Sequence, residues 1–248
     1  MSRIARKESA TGLYHVVFKG VNHERVFETD AEKRKIRLIL QEKMKEYSLE
    51  IYAYCIMPTH IHLLIHGQLG EISKFLCRCE IVYAMQYNDK KKRNGHLFQN
   101  RFFSEAIEDE KYFWNCINYI HNNPVKAEIV DAPEKYEWSS YLEYTDKIQL
   151  ITAKTLKMVH KRFRTIEDFE KFSLKNEQTS WFVGTEEEMK MQKSALILKK
   201  LSELNSLRAF ENRNGKVKYS EATRQMSREL RVTQKEIMNE IEKLKTEI

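Results

Sequence analysis

The chain has 248 residues, enough to bury a real core in one or two domains. Its 43 Lys and Arg against 36 Asp and Glu give a formal charge of +7 and a pI near 9.0, which favours an anionic partner. Four cysteines (Cys55, Cys77, Cys79, Cys116) in a chain of this size argue against a disulfide framework. No signal peptide and no membrane-length apolar run is legible, so a cytoplasmic protein with no membrane partner is expected.

Tyr14 to Lys19 reads as a strand. Asp30 to Tyr47 reads as a helix, with Ile36, Leu40 and Met44 in register. Glu50 to Ile56 and His60 to His66 are strands around Met57-Pro58-Thr59. The second of them carries His60-Ile61-His62. Strand side chains alternate faces, so the two imidazoles share one face and make a ready metal pair. The same triplet also suits two histidines on a solvated sheet face.

Glu71 to Asn88 is helical, and residues two apart on a helix diverge, which disfavours a zinc site at Cys77 and Cys79. Asp89 to Asn94 is a basic loop holding Lys90, Lys91, Lys92 and Arg93. It suits either solvation or phosphate contact. Phe98 to Ile107 is an extended segment carrying Arg101 and Phe102, a cation that can pair a phosphate and a ring that can stack on a base.

Asp109 to Ile120 is a helix that Pro124 should end near Asn123. Tyr119 and Asn123 are four apart, hence on one face at its end. A phenol is a nucleophile once a cation or base helps remove its proton, and an amide oxygen is a metal ligand. A packed tyrosine and a helix-ending asparagine would look the same.

The composition shifts after Tyr144. From Ile151 onward there are two glycines and no proline, and the pattern is helical and charged. Asp168 to Phe172 resembles a connecting segment, and Thr185 to Met191 a helix start. Glu221 to Leu230 and Gln234 to Leu244 read as two helices around an Arg231-Val232-Thr233 turn. Ala222, Met226, Leu230, Val232, Ile237 and Ile241 would form one small core. The pattern resembles a helix-turn-helix presenting Thr233, Gln234, Lys235 and Asn239. It also suits a plain helical hairpin or a dimerising pair. The segment order predicts a catalytic domain over 1–148, a helical connecting segment over 149–193 and a helical C-terminal domain over 194–248.

Five segments, in order, resemble the single-tyrosine transposases of the HUH endonuclease superfamily, most closely the REP-associated branch. They are Tyr14 to Asn22, Met57 to Leu64, Gly95 to Phe102, Tyr119 to Ala127 and Tyr136 to Tyr141. Lys19 stands where Arg is usual, Thr59 where Asn is usual and Lys126 where Arg is common. Thr59 alters the surroundings that orient His60.

The resemblance implies an α+β fold: a ferredoxin-like, RRM-like split βαβ sheet with helices on one face and the Tyr119 helix against the other, followed by the helical C-terminal region. It implies cleavage and rejoining of hairpin-bearing single-stranded DNA, with Tyr119 keeping a 5′-phosphotyrosine. Mg²⁺ or Mn²⁺ would sit on His60, His62 and Asn123, and Lys19, Asn22 and Lys126 would join the DNA contacts. Relatives include homodimers and monomers. A domesticated host nuclease processing repetitive hairpins, and a DNA-binding regulator without catalysis, are the alternatives.

Overall fold

A computed structural model describes residues 6–99, 101–145, 149–174, 193–194, 197–198, 200–204, 210, 217–230 and 232–246. The chain divides into two compact units, Met1–Asn176 and Glu177–Ile248.

The first unit is built on four strands, β1 (Leu13–Lys19), β2 (Glu50–Ile56), β3 (His60–His66) and β4 (Phe103–Ile107), in the order β2-β3-β1-β4. Every neighbouring pair is antiparallel. Placing β3 between β1 and β2 is the split βαβ arrangement that the element order predicts. Helices α1 (Asp30–Met44) and α2 (Leu69–Lys91) fill the two crossovers. A capping box starts α1: Thr29 Oγ1 accepts from Glu32 N, and the Glu32 carboxylate accepts from Thr29 N.

Strand alternation divides the sheet into two faces. On one, Phe18 packs with Phe27 and Phe98, and Tyr83 of α2 joins the same cluster, its hydroxyl donating to Val26 O. Helix α3 (Glu110–Lys126) lies on the other face against β2 and β3. Its first turn is capped by Asp109, which accepts from Tyr112 N at 2.8 Å, and Phe113 meets Tyr52 edge to face.

Two boundaries differ from expectation. Only Phe103–Ile107 of the 98–107 segment is strand; Phe98 makes an isolated bridge to Gly20. Pro124 does not end α3, which runs on to Lys126. A proline in the last turn removes one late hydrogen bond rather than a central one. The side-chain amides of Asn122 and Asn123 reach back to the carbonyls of Asn118 and Tyr119. Beyond the proline, Ala127 N donates to Asn123 O and Ile129 N to Pro124 O, closing the end.

The free edge of β2 is covered by the 136–140 segment. Ile56 N donates to Trp138 O and Ser140 N to Tyr54 O, which satisfies an otherwise open ladder. Two further helices, α4 (Ala153–Arg162) and α5 (Ile166–Leu174), complete this unit. The 168–172 stretch expected to connect is thus helical. Its Phe169 is buried against His121, Tyr141, Tyr144 and Phe163, so apolar packing sets its conformation.

The second unit contains α6 (Glu221–Leu230) and α7 (Gln234–Thr246). Its core joins Met226, Leu230, Val232, Ile237 and Ile241 with Ile197, Leu201 and Phe210; Ala222 is partly buried beside them. Thr233 caps α7: its hydroxyl accepts from Glu236 N, and the Glu236 carboxylate accepts from Thr233 N. The 185–191 helix start and Arg231 lie outside the described residues. No helix among the described residues is long and apolar enough to cross a membrane.

Candidate active site

The site forms where the α3 face of the sheet meets the end of α3. Register places Lys19 opposite His60 and Val17 opposite His62. Gly20 N donates to Thr59 O at 2.9 Å, pinning the end of β1 to the turn that delivers His60. A Cβ at Gly20 would lie 2.6 Å from the Glu24 carbonyl oxygen, so only glycine suits that close approach.

The imidazoles of His60 and His62 stand 4.7 Å apart between ring centroids. Thr59 Oγ1 lies 2.8 Å from His60 Nδ1. Tyr119 reaches the same face edge-on to His62, with ring centroids 5.6 Å apart. The Lys126 ammonium sits 4.5 Å from the centre of the Tyr119 ring. Asn123 is buried one turn on, its Nδ2 donating to Tyr119 O. One chain therefore brings together the histidine pair, the tyrosine and a cation.

Burial, and then the neighbouring His60, holds the His62 pKa well below the usual histidine range, with His15 and Lys126 adding to the effect. The ring is neutral at neutral pH and keeps a lone pair. His62 Nε2 is buried with no hydrogen-bond partner among the described residues. An imidazole nitrogen in that condition suits a divalent cation. Among the described residues no three His, Cys, Asp or Glu side chains cluster so as to hold a metal ion.

Sequence reasoning passed over one member of the cluster. His15 is fully buried on β1, with Nε2 3.0 Å from His62 Nδ1 and its ring edge-on to Tyr119. The two-residue period of β1 puts His15 on the face of Lys19, but its distance from His62 depends on strand pairing.

The expected DNA contacts are dispersed. Lys19 borders the site, and Asn22 is exposed in a left-handed conformation just beyond β1. Lys90 and Lys91 belong to the last turn of α2 rather than to a loop. Lys91 pairs with Glu32 at 3.1 Å and Arg93 with Glu24 at 2.9 Å, so two of the four cations there also tie α2 to earlier segments. Lys90, Lys92 and Arg101 are exposed. Phe102 is buried, with the Arg6 guanidinium 3.6 Å above its ring, and that face is closed to a stacked base. In the second unit Lys235 and Asn239 are exposed, whereas Gln234 is half-buried and accepts from Thr223 Oγ1.

Residues 9–123 match the family described as "Transposase IS200 like". A Haemophilus influenzae protein named "Putative REP-associated tyrosine transposase" is 29% identical over 152 residues, which cover 57% of this chain and 86% of the relative. A solved REP-associated tyrosine transposase bound to a REP hairpin superposes with a TM-score of 0.50 at 19% identity, over 59% of this chain and 87% of that one. At that identity the likeness is one of fold. Over residues 9–123 the chain is similar to the IS200-like transposase family.

Proposed function

We propose that this protein cleaves and rejoins single-stranded DNA at hairpin-flanked sites in the cytoplasm, with Tyr119 as nucleophile. The observation that carries the reading is the meeting of Tyr119 with the His60–His62 pair inside one chain. The Tyr119 oxygen attacks the scissile phosphorus. The bond to the 3′-oxygen breaks, a 5′-phosphotyrosine forms, the phenol proton is lost and the leaving strand ends in a 3′-hydroxyl. Because the phosphodiester energy is conserved in the new bond, a 3′-hydroxyl reverses the step without a nucleotide cofactor.

His60, His62 and Asn123 would hold Mg²⁺ or Mn²⁺, the imidazoles favouring Mn²⁺. Held there, such an ion would polarise the scissile phosphate and stabilise the charge that develops on it. Lys126 holds its ammonium over the phenol ring, 4.5 Å from its centre, a cation beside the proposed nucleophile. Lys19, opposite His60 in the register, would contact the adjoining phosphate. The hairpin named with the solved relative supports a hairpin as the DNA feature read by this chain.

The test uses labelled single-stranded oligonucleotides carrying a hairpin from the DNA flanking the gene, with Mn²⁺. The expected product is a denaturation-resistant protein–DNA adduct, absent in Tyr119→Phe while DNA binding persists. An adduct of undiminished yield from Tyr119→Phe would remove Tyr119 from its role.

A further inference from the structure

His15 has no part in the cleavage scheme, yet its Nε2 lies 3.0 Å from Nδ1 of a proposed cation ligand, His62. It is fully buried, its ring lies side by side with that of His62 with planes 6° apart and centroids 5.2 Å apart, and the two share a 3.0 Å contact between His15 Nε2 and His62 Nδ1. The outer nitrogens, His15 Nδ1 and His62 Nε2, have no hydrogen-bond partner among the described residues.

A neutral imidazole carries one proton on two nitrogens, so this contact has two forms. In the first, His62 Nδ1–H donates to His15 Nε2, and His62 Nε2 keeps its lone pair. In the second, His15 Nε2–H donates, His62 Nε2 carries the proton, and that nitrogen cannot take a cation. Each form leaves one buried donor and one buried acceptor unsatisfied, so hydrogen-bond counting does not choose between them.

Charge does choose. Glu105 on β4 stands directly opposite His15 in the register. Facing side chains in such a pair have Cβ atoms about 5 Å apart, and a carboxylate there favours a proton on His15 Nδ1. At the other end, the Lys126 ammonium lies over Tyr119, whose ring abuts His62, and it disfavours a proton on His62 Nε2. Both charges select the first form.

We propose that His15 is a positioning residue: it accepts the His62 Nδ1 hydrogen and holds His62 as the tautomer whose Nε2 lone pair is left for a divalent cation. The cation rests on the function proposed above. The tautomer is a property of the metal-free chain.

Two measurements on the full chain test this. Long-range ¹⁵N–¹H spectra of the imidazoles in metal-free protein should show His62 protonated on Nδ1 and bare on Nε2. Free-Mn²⁺ electron paramagnetic resonance should show His15→Leu binding about 10- to 100-fold more weakly than wild type, the usual loss for a missing partner of a metal-binding histidine. His15→Gln, whose amide oxygen can reach the place of Nε2, should restore most of that affinity. A purely structural role would not be rescued this way. A His62 protonated on Nε2 in the wild type overturns the proposal, and does so even if His15→Leu fails to fold. Wild-type affinity in a cooperatively melting His15→Leu overturns it as well. Failure of the cleavage reading looks different: wild type then binds Mn²⁺ no better than His60→Ala, and the proposal falls with it.

Discussion

The Lys126 ammonium lies 4.5 Å from the Tyr119 ring centre. A cation over an aromatic face contributes about 0.5–2 kcal/mol, depending on how dry the site is. Removing it from a nucleophilic phenol should slow the chemical step more than it weakens binding. Lys126→Gln is expected to reduce single-turnover adduct formation at saturating DNA by about tenfold, a cost on the order of 1.4 kcal/mol. An unchanged rate with a weaker dissociation constant would make Lys126 a phosphate contact only.

Glu80 on α2 shows a different kind of strain. Its Oε1 is buried with no hydrogen-bond partner among the described residues. Burial pushes its pKa up to about 7, and Arg6 only partly opposes this. The folded state thus prefers the protonated acid. That preference is present in full below the ordinary glutamate range, and it is lost as pH rises through about 7, where ionising the buried group costs stability. Glu80→Gln should therefore be more stable than wild type at pH 8, on the order of 1–3 kcal/mol, with the gap closing towards pH 4.5. Melting curves at the two pH values check the sign; a gap of equal size at both would place the effect in packing instead.

The elements are held to one another by a few buried polar groups. Glu143 is the clearest. Its carboxylate accepts from the Tyr54 hydroxyl of β2 and from the backbone N–H groups of Gln149, Leu150 and Ile151. It thereby ties the segment leading into α4 to the edge of the sheet. Ser140 supports the same edge, its hydroxyl accepting from Tyr54 N and lying 2.8 Å from His121 Nε2. Removing a buried acceptor shared by four donors leaves them unsatisfied, and each such group costs about 1–3 kcal/mol. Glu143→Ala is expected to lose at least about 3 kcal/mol of stability in chemical denaturation. A loss below about 1 kcal/mol would mean that water replaces the carboxylate readily. The same ties argue against cutting the chain just after Tyr144. Such a cut would strip α4 and α5 from Tyr141, Tyr144 and His121, exposing an aromatic cluster that Phe169 now fills.

The two units carry different parts of the proposed activity. Tyr119, His60, His62 and Asn123 all lie in Met1–Asn176. The second unit has its own apolar core, an excess of basic over acidic side chains, and exposed Lys235 and Asn239 on α7. A chain ending at Asn176 should fold, form the Tyr119 adduct at high concentration, and bind the hairpin more weakly. For every phosphate that the shortened chain no longer neutralises, the slope of log affinity against log salt should flatten by about 0.7–0.9. Equal affinity and slope for the full and shortened chains would assign the second unit to self-association or a protein partner.

Much of this was legible in consecutive residues. Alternation placed β2 and β3 at their observed limits and put His60 and His62 on one face. The four-residue step put Tyr119 and Asn123 on one side of α3, and apolar spacing located α6 and its core partners. These features depend on local periods, which the order of side chains carries directly. Other features depend on which distant segments pair. His15 meets His62 across 47 positions only because β1 lies beside β3, and Glu105 faces His15 only because β4 closes the other side of β1. By its neighbours in sequence Phe102 is free to stack on a base, but Arg6, far away along the chain, covers its ring. The 168–172 stretch has the composition of a connector, but Phe169 is core. Burial and register are sums over the whole chain, and no window of neighbouring residues contains them.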